Sequence, residues 1–177
     1  MSKLETRQAV LAFIGLMLVA LNLRPALTSI GPMLGTIGDS FTLSSTALGI
    51  LTTLPVLFLG LAAPLAPKLA SRLGIERTVL AVLAVLALAL LLRPYSGLPG
   101  LFTGTAIAGG CIGIIGVLLP GIVKRDFPNH ASLMTGIYTA VLCAGAAIAA
   151  GTTEPLRELF GQQWRPALAF WLVPAAV

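Results

Sequence analysis

Arg24 is a cationic residue inside an otherwise apolar stretch, where its charge needs a physical explanation. Residues 11–23 are almost wholly apolar, and apolar character resumes after Pro25. If a helix enters a bilayer near Val10, Arg24 lies roughly 21 Å along its axis, within a hydrocarbon layer about 30 Å thick. A guanidinium keeps its proton and is costly against lipid, so we expect Arg24 to face protein or water.

The proline after this arginine indicates a break in the helix. Because Pro25 has no backbone N–H, it frees a carbonyl one turn earlier, and broken backbone is tolerated at membrane depth where it lines a cavity. Arg24 is therefore interpreted as an anion-attracting group in a transport pathway. The alternative is an arginine that snorkels to the outer interface from a helix that ends early.

Four neutral residues are predicted to assist Arg24 as hydrogen-bonding neighbours. Two flank it along the first helix, and two precede Pro55 in the next apolar run. The hydroxyls beside Pro55 are expected to bond carbonyls that this proline frees and to offer contacts to a solute. The predicted solute-binding residues are Arg24, Asn22, Thr28, Thr52 and Thr53.

The composition identifies the medium in which these residues lie. Of the 177 residues, 57% are hydrophobic and 10% are charged, and the mean hydropathy is +0.99. A soluble domain carries about 25% charged residues, so the chain is predicted to be an all-α integral membrane protein. The net charge of +5 does not indicate nucleic acid, because no basic cluster is interleaved with aromatic residues. Cys111 and Cys143 lie in apolar runs and are expected to be free, buried thiols.

The apolar runs predict a bundle of six transmembrane helices within one unit, residues 1–177. Residues 67–77 are predicted as a compact basic loop, and residues 152–165 as a polar outer connection. The last predicted helix has about twelve residues and rises about 18 Å, which is too short to span a bilayer. The predicted helices are at about 8–37, 47–66, 78–92, 98–123, 131–151 and 166–177.

Charged residues predict the orientation of the bundle. Seven basic residues fall in one set of alternating loops and three, Arg93, Arg157 and Arg165, in the other set. By the positive-inside rule, the amino terminus is expected to be cytoplasmic. All acidic residues fall outside the predicted hydrocarbon segments, so no ion-coupling carboxylate is expected and Arg24 is predicted to be the sole buried charge.

Small residues follow one face of the fourth predicted helix. Gly109, Gly113 and Gly116 recur at helical spacing, which allows another helix backbone to approach closely. They are predicted to be helix-packing positions, and helices with small faces suit a bundle that moves.

No spacing in the sequence indicates catalysis, a cofactor or a metal. Asp126, His130 and Ser132 are near one another in sequence, but the members of a catalytic triad meet in space rather than by sequence proximity. The lone His130 is expected to be a solvated loop residue. The sequence therefore predicts neither an enzyme nor a metal site.

The predicted loop between the second and third helices resembles the signature of the major facilitator superfamily, Gly-x-Leu-Ala-Asp-Arg-x-Gly-Arg-Lys. Pro67 and Ser71 stand where the signature has its first glycine and its aspartate. The resemblance implies a gating loop that contains Arg72, Gly74 and Arg77. The residues that match in kind are Leu69, Ala70, Arg72, Gly74 and Arg77.

Further motifs are similar to one branch of that superfamily, the cyanate permeases and 2-nitroimidazole transporters. The resemblance implies the amino-terminal half of a twelve-helix fold, cut within helix six, that works by alternating access around a central site. The motifs occupy residues 21–25, 28–32, 51–55, 113–116 and 119–128.

The resemblance also implies a function and partners. A small polar or anionic solute, cyanate-like or nitroimidazole-like, would be carried across the bacterial cytoplasmic (inner) membrane. The expected partners are the solute, the lipid bilayer, and a second six-helix half or another copy, with no nucleic acid and no cofactor. The alternative is a non-transporting membrane half-module that works only by assembling with a second half.

Overall fold

The described part of the chain contains helices and no strands, as expected for a bilayer protein, because a helix satisfies its backbone polar groups internally. The structure, a computed structural model, describes residues 3–171, and side chains from residue 12 onward. The α-helices are α1 (Lys3–Leu23), α2 (Pro25–Thr28), α3 (Leu34–Phe41), α4 (Ser45–Ala62), α5 (Leu65–Leu73), α6 (Ile75–Leu92), α7 (Gly97–Asp126), α8 (Ala131–Leu159) and α9 (Trp164–Ala169).

Five helical segments of the described residues are long and apolar enough to cross a membrane. The predicted all-α membrane fold is therefore confirmed, and the chain is a multi-pass membrane protein. The sixth predicted helix begins at α9, and residues 172–177 lie outside the described residues. The five segments are Ala12–Phe41, Ser45–Ala62, Ile75–Leu92, Gly97–Asp126 and Pro128–Leu159.

The first membrane segment, predicted as one helix over 8–37 with a break at Pro25, is interrupted at that proline. α1 ends at Leu23, α2 forms a single short turn, and a 3₁₀ turn at Gly31–Met33 precedes α3. Pro25 removes the N–H that would bond the carbonyl of Leu21. Gly145 of α8 lies against this carbonyl, where a Cβ would come within 2.7 Å of the oxygen. The break is therefore packed against a neighbouring helix.

Two predicted connections are helical, and both predictions were wrong for the same reason. The predicted basic loop contains α5, because Ala66 and Leu69 repeat at helical spacing and pack on the core. The predicted outer connection contains the last turns of α8, where Glu154 pairs with Arg157 at a spacing of three residues. Polar composition indicated a loop, but apolar periodicity and local ion pairing stabilise helix.

α7 lies at the centre of the bundle and packs closely on α4. A Cβ at Gly109 would lie 2.2 Å from the carbonyl oxygen of Pro55, and one at Gly113 would lie 2.2 Å from that of Leu59. Only glycine permits these backbone contacts. Gly116, predicted for the same packing face, has no atom within 4 Å of its Cβ position, because a cavity opens at that level.

The two cysteines are free, but they differ in exposure. Cys111 is buried within α7, whereas Cys143 of α8 is exposed. The prediction that both thiols are buried was therefore wrong for Cys143. An apolar run does not specify which face of its helix the bundle covers.

Candidate functional site

A cavity of about 580 Å³ lies where the interrupted first segment faces α4, α7 and α8. Its walls are mostly aliphatic, with a few polar groups, which is the usual character of a small-molecule site. None of the described lining residues is acidic. The lining residues are Leu23, Arg24, Leu27, Val56, Leu59, Ala63, Ile112, Gly113, Gly116, Val117, Leu119, Tyr138, Thr139 and Leu142.

Arg24 is the cationic residue of this cavity. Its side chain is exposed at the helix break, and it is the charged member of the described lining. Ion pairs among the described residues lie elsewhere, at Arg125 and Arg157. The guanidinium is therefore available to an anion in a largely apolar enclosure, where a charge-assisted hydrogen bond is stronger than in water.

Thr28 stabilises the break rather than the cavity wall. The carbonyl of Arg24 accepts hydrogen bonds from the backbone N–H groups of Leu27 and Thr28, each at 3.0 Å. The hydroxyl of Thr28 donates to the same oxygen, also at 3.0 Å. This predicted solute-binding residue thus contacts the backbone that presents Arg24, and it is absent from the described lining.

Asn22 is buried away from the cavity, although it lies only two residues from Arg24. Its Nδ2 donates to the carbonyl of Leu18 at 2.9 Å, and its Oδ1 has no partner among the described residues. Residues two apart on a helix point in nearly opposite directions, so Asn22 and Arg24 cannot both face the cavity. The structure does not bring Asn22 to the described lining.

Thr52 and Thr53 are also outside the described cavity lining. Both are exposed on α4, and their hydroxyls donate to the carbonyl of Gly49 at 2.9 Å and 2.8 Å. The carbonyl that Pro55 frees is that of Leu51, so the predicted bonds to it are not formed. Each hydroxyl instead bonds backward within its own helix, as threonine does in a helix interior.

Two polar residues of the cavity, Tyr138 and Thr139, were not predicted from the sequence. Tyr138 packs its ring in the core while lining the cavity, and its neighbour Thr139 is exposed there. The Thr139 hydroxyl donates to the carbonyl of Thr135 at 2.7 Å, which leaves its oxygen able to accept. The signal was present, because Tyr138 is one of only two tyrosines and lies inside an apolar run.

The predicted gating residues lie apart from this cavity. Arg72 is in the last turn of α5, Gly74 adopts a φ of 85° between two helices, and Arg77 is exposed on α6. Close to them, Arg125 of α7 pairs with Glu76 at 2.5 Å. A gating role for Arg72, Gly74 and Arg77 remains a prediction.

Arg93 overturns the prediction of a single buried charge. It was placed in a short outer loop after the third predicted helix, but its side chain is 0% exposed. Its Nη1 donates to the carbonyl of Ala26 at 3.0 Å, so the end of α6 is tied to the break in the first segment.

The described residues contain no group of three or more histidine, cysteine, aspartate or glutamate residues that could hold a metal ion. The polar side-chain groups of the described cavity lining are a guanidinium, a phenol and a hydroxyl. This set can donate to, and partly neutralise, an anion or a polar planar molecule.

Comparison with known proteins gives three relatives, each named as a transporter. The chain is 40% identical over 157 residues to the uncharacterized transporter YycB of Bacillus subtilis (strain 168), and the match covers 89% of this chain and 39% of that protein. It is 36% identical over 167 residues to the 2-nitroimidazole transporter of Escherichia coli (strain K12), covering 94% and 42%. It is 33% identical over 163 residues to the cyanate transport protein CynX of the same organism, covering 92% and 42%.

The chain thus spans about two fifths of the length of these curated relatives. No solved structure matches it. The family description that matches residues 9–177 is the Major Facilitator Superfamily. The resemblance of the motifs to the cyanate and 2-nitroimidazole branch is confirmed, and the chain belongs to the Major Facilitator Superfamily.

Proposed function

We propose that this chain forms part of a secondary transporter that carries a small polar or anionic solute across the bacterial cytoplasmic membrane by alternating access. One observation carries the proposal. Arg24 is exposed on a cavity of about 580 Å³ whose described lining contains no acid. A solute with negative charge, or with strong acceptor oxygens, is the natural complement of such a site.

The names of the relatives narrow the solute class within this proposal. One relative is named for 2-nitroimidazole and another for cyanate. A nitro group presents two acceptor oxygens, which suit the two-pronged geometry of a guanidinium. Cyanate is a small anion that can accept from the same group. The side chain of Tyr138, which lines the same cavity, adds a phenol hydroxyl that can donate to acceptor oxygens of a solute.

The orientation and movement complete the proposal. We place the amino terminus in the cytoplasm, because the basic residues favour that side. The bundle would rock against a partner bundle, with the solute held near the break in the first segment. Arg72, Gly74 and Arg77 would act in the cytoplasmic gate.

A binding titration with the purified full chain in lipid nanodiscs tests the role of Arg24. Cyanate and 2-nitroimidazole would be titrated against the wild type, Arg24→Gln and Arg24→Lys. We expect Arg24→Gln to lose about tenfold or more in affinity, since a charge-assisted bond contributes about 1.5–3 kcal/mol. Arg24→Lys should bind with intermediate affinity, because lysine keeps the charge but not the planar fork.

The matched control is Lys124→Gln, which removes one positive charge from an exposed position at the end of α7. It should bind both solutes as the wild type does. Equal affinity of the wild type and Arg24→Gln for both solutes would remove Arg24 from the proposed function.

The second candidate is the non-transporting half-module. It is favoured by the large apolar side chains exposed on α4, such as Leu57 and Leu61, 54% and 63% exposed, which lipid or a second bundle would cover. Flux into proteoliposomes separates the two functions. Solute binding without flux by the chain alone, with crosslinked pairs of copies, would favour the half-module.

A further inference from the structure

Arg93 carries a buried positive charge that the proposed binding site does not use. The residue is 0% exposed at the end of α6. Its Nη1 donates a hydrogen bond to the carbonyl of Ala26. Its Nε and Nη2 have no partner among the described residues. The side chain is therefore held by one directional contact to the first membrane segment.

The acceptor of this bond, the backbone carbonyl of Ala26, has no backbone donor in the described part of the chain, because the helix is broken there. Backbone N–H groups of the break bond the carbonyls of Arg24 and Pro25, and no described backbone N–H donates to the carbonyl of Ala26. A buried carbonyl without a donor is costly, so Arg93 supplies the missing partner. The bond joins residues 67 positions apart and links α6 to α2.

Arg93 and the cavity contact different residues of the broken segment. Ala26 follows Arg24 by two residues, which is about 200° around a helix. Ala26 is 1% exposed and packs in the core, whereas Arg24 is exposed at the cavity. Arg93 thus contacts the broken segment at Ala26, two residues after Arg24, whose side chain lines the cavity.

We propose that Arg93 is a positioning residue for Arg24, which fixes the break by its bond to Ala26 and so sets where the cavity guanidinium lies. This inference rests on the proposed role of Arg24 in binding the solute. It assigns Arg93 no contact with the solute.

The proposal predicts a loss of binding with little change in stability. Arg93→Met removes a buried guanidinium with two unpaired nitrogens, which favours the variant, but it also leaves the buried carbonyl of Ala26 without a donor, which disfavours it. Because these two effects oppose each other, the unfolding temperature of Arg93→Met should change little. The affinity for cyanate or 2-nitroimidazole should fall about tenfold, because misplacement of a binding group by about 1 Å is already severe.

The first experiment measures both quantities for the full chain in nanodiscs. Arg93→Lys should recover part of the affinity, because an ammonium can donate to the same carbonyl. Lys124→Met, which removes an exposed positive charge at the end of α7, is the matched control and should change neither quantity. A lower unfolding temperature with unchanged affinity in Arg93→Met would make Arg93 merely structural and overturn the proposal.

The second experiment does not depend on any solute. In a background with both native cysteines replaced by alanine, Leu27→Cys places one thiol at the half-buried cavity edge of the break. Adding Arg93→Met should speed its labelling by a water-soluble thiol reagent several-fold, because the break is released. Unchanged labelling would overturn the positioning role. If the Arg24 variants bind normally while this labelling changes, the proposed function fails and the positioning of the break stands.

A variant that retains the charge keeps the inference testable if Arg93→Met does not fold. A Cβ at Gly104 of α7 would lie 3.0 Å from the Cβ of Arg93 and 3.2 Å from the carbonyl oxygen of Ala89, so Gly104→Ala presses on the end of α6 that carries Arg93. We expect faster labelling at Leu27→Cys and a smaller loss of affinity. Gly121→Ala, on the same helix with no atom within 4 Å of its Cβ position, is the control. Equal labelling in the two alanine variants would contradict the proposal.

Discussion

Gly109→Ala should separate α4 from α7, and its effect can be worked out from one distance. The added Cβ would lie 2.2 Å from the carbonyl oxygen of Pro55, whereas ordinary contacts begin at 3.4 Å. The two backbones must therefore move apart locally by about 1.2 Å, since the obstructing atom is backbone and cannot rotate away. Overpacking of this kind costs about 1–3 kcal/mol.

Helix propensity opposes this loss and defines the control. Alanine is favoured over glycine in a helix interior by up to about 1 kcal/mol. Gly121→Ala gains this term without a clash, because no atom lies within 4 Å of its Cβ position. We expect Gly109→Ala to lower the free energy of unfolding by up to about 2 kcal/mol and Gly121→Ala to leave it equal or higher.

Reversible unfolding in mixed micelles, with denaturing detergent added in steps, measures both variants under one condition. Tryptophan fluorescence follows the transition. The reasoning is refuted if Gly109→Ala and Gly121→Ala shift the midpoint alike, because then the close contact between α4 and α7 would carry no energetic weight.

Two further substitutions test the cavity wall and the surface charges. Tyr138→Phe removes the phenol hydroxyl at the cavity but keeps the buried ring. The affinity for 2-nitroimidazole should therefore fall several-fold in a titration, while the free energy of unfolding stays within about 0.5 kcal/mol of the wild-type value. Glu76→Gln breaks the pair with Arg125, but both side chains are largely exposed, at 64% and 47%. It should change the free energy of unfolding by less than about 1 kcal/mol, and a larger loss would show that this pair is not an ordinary surface contact.

Local sequence was sufficient to predict the bilayer environment, the fold class and the position of the break. Continuous apolar runs long enough to span a bilayer indicate transmembrane helices, because barrel strands are shorter and alternate apolar with polar residues. Pro25 removes a hydrogen-bond donor wherever it stands, so the interruption near Arg24 followed from local chemistry. The close approach at Gly109 and Gly113 followed from residue size and helical spacing.

The packing of the helices in the tertiary structure determines which side chains face the cavity. Asn22 and Thr52 lie in the predicted helices but not in the described cavity lining, whereas Tyr138 does line it. Hydropathy specifies that a helix is in the membrane but not its rotation about its own axis, which packing against neighbouring helices sets.

The burial of Arg93 was also not predictable from local sequence. Its position after an apolar helix indicated an outer loop, yet its guanidinium is buried and bonds the carbonyl of Ala26. That carbonyl lacks a backbone donor because the first segment is broken 67 residues earlier in the chain. A contact of this separation depends on how α2 and α6 pack, which local sequence does not encode.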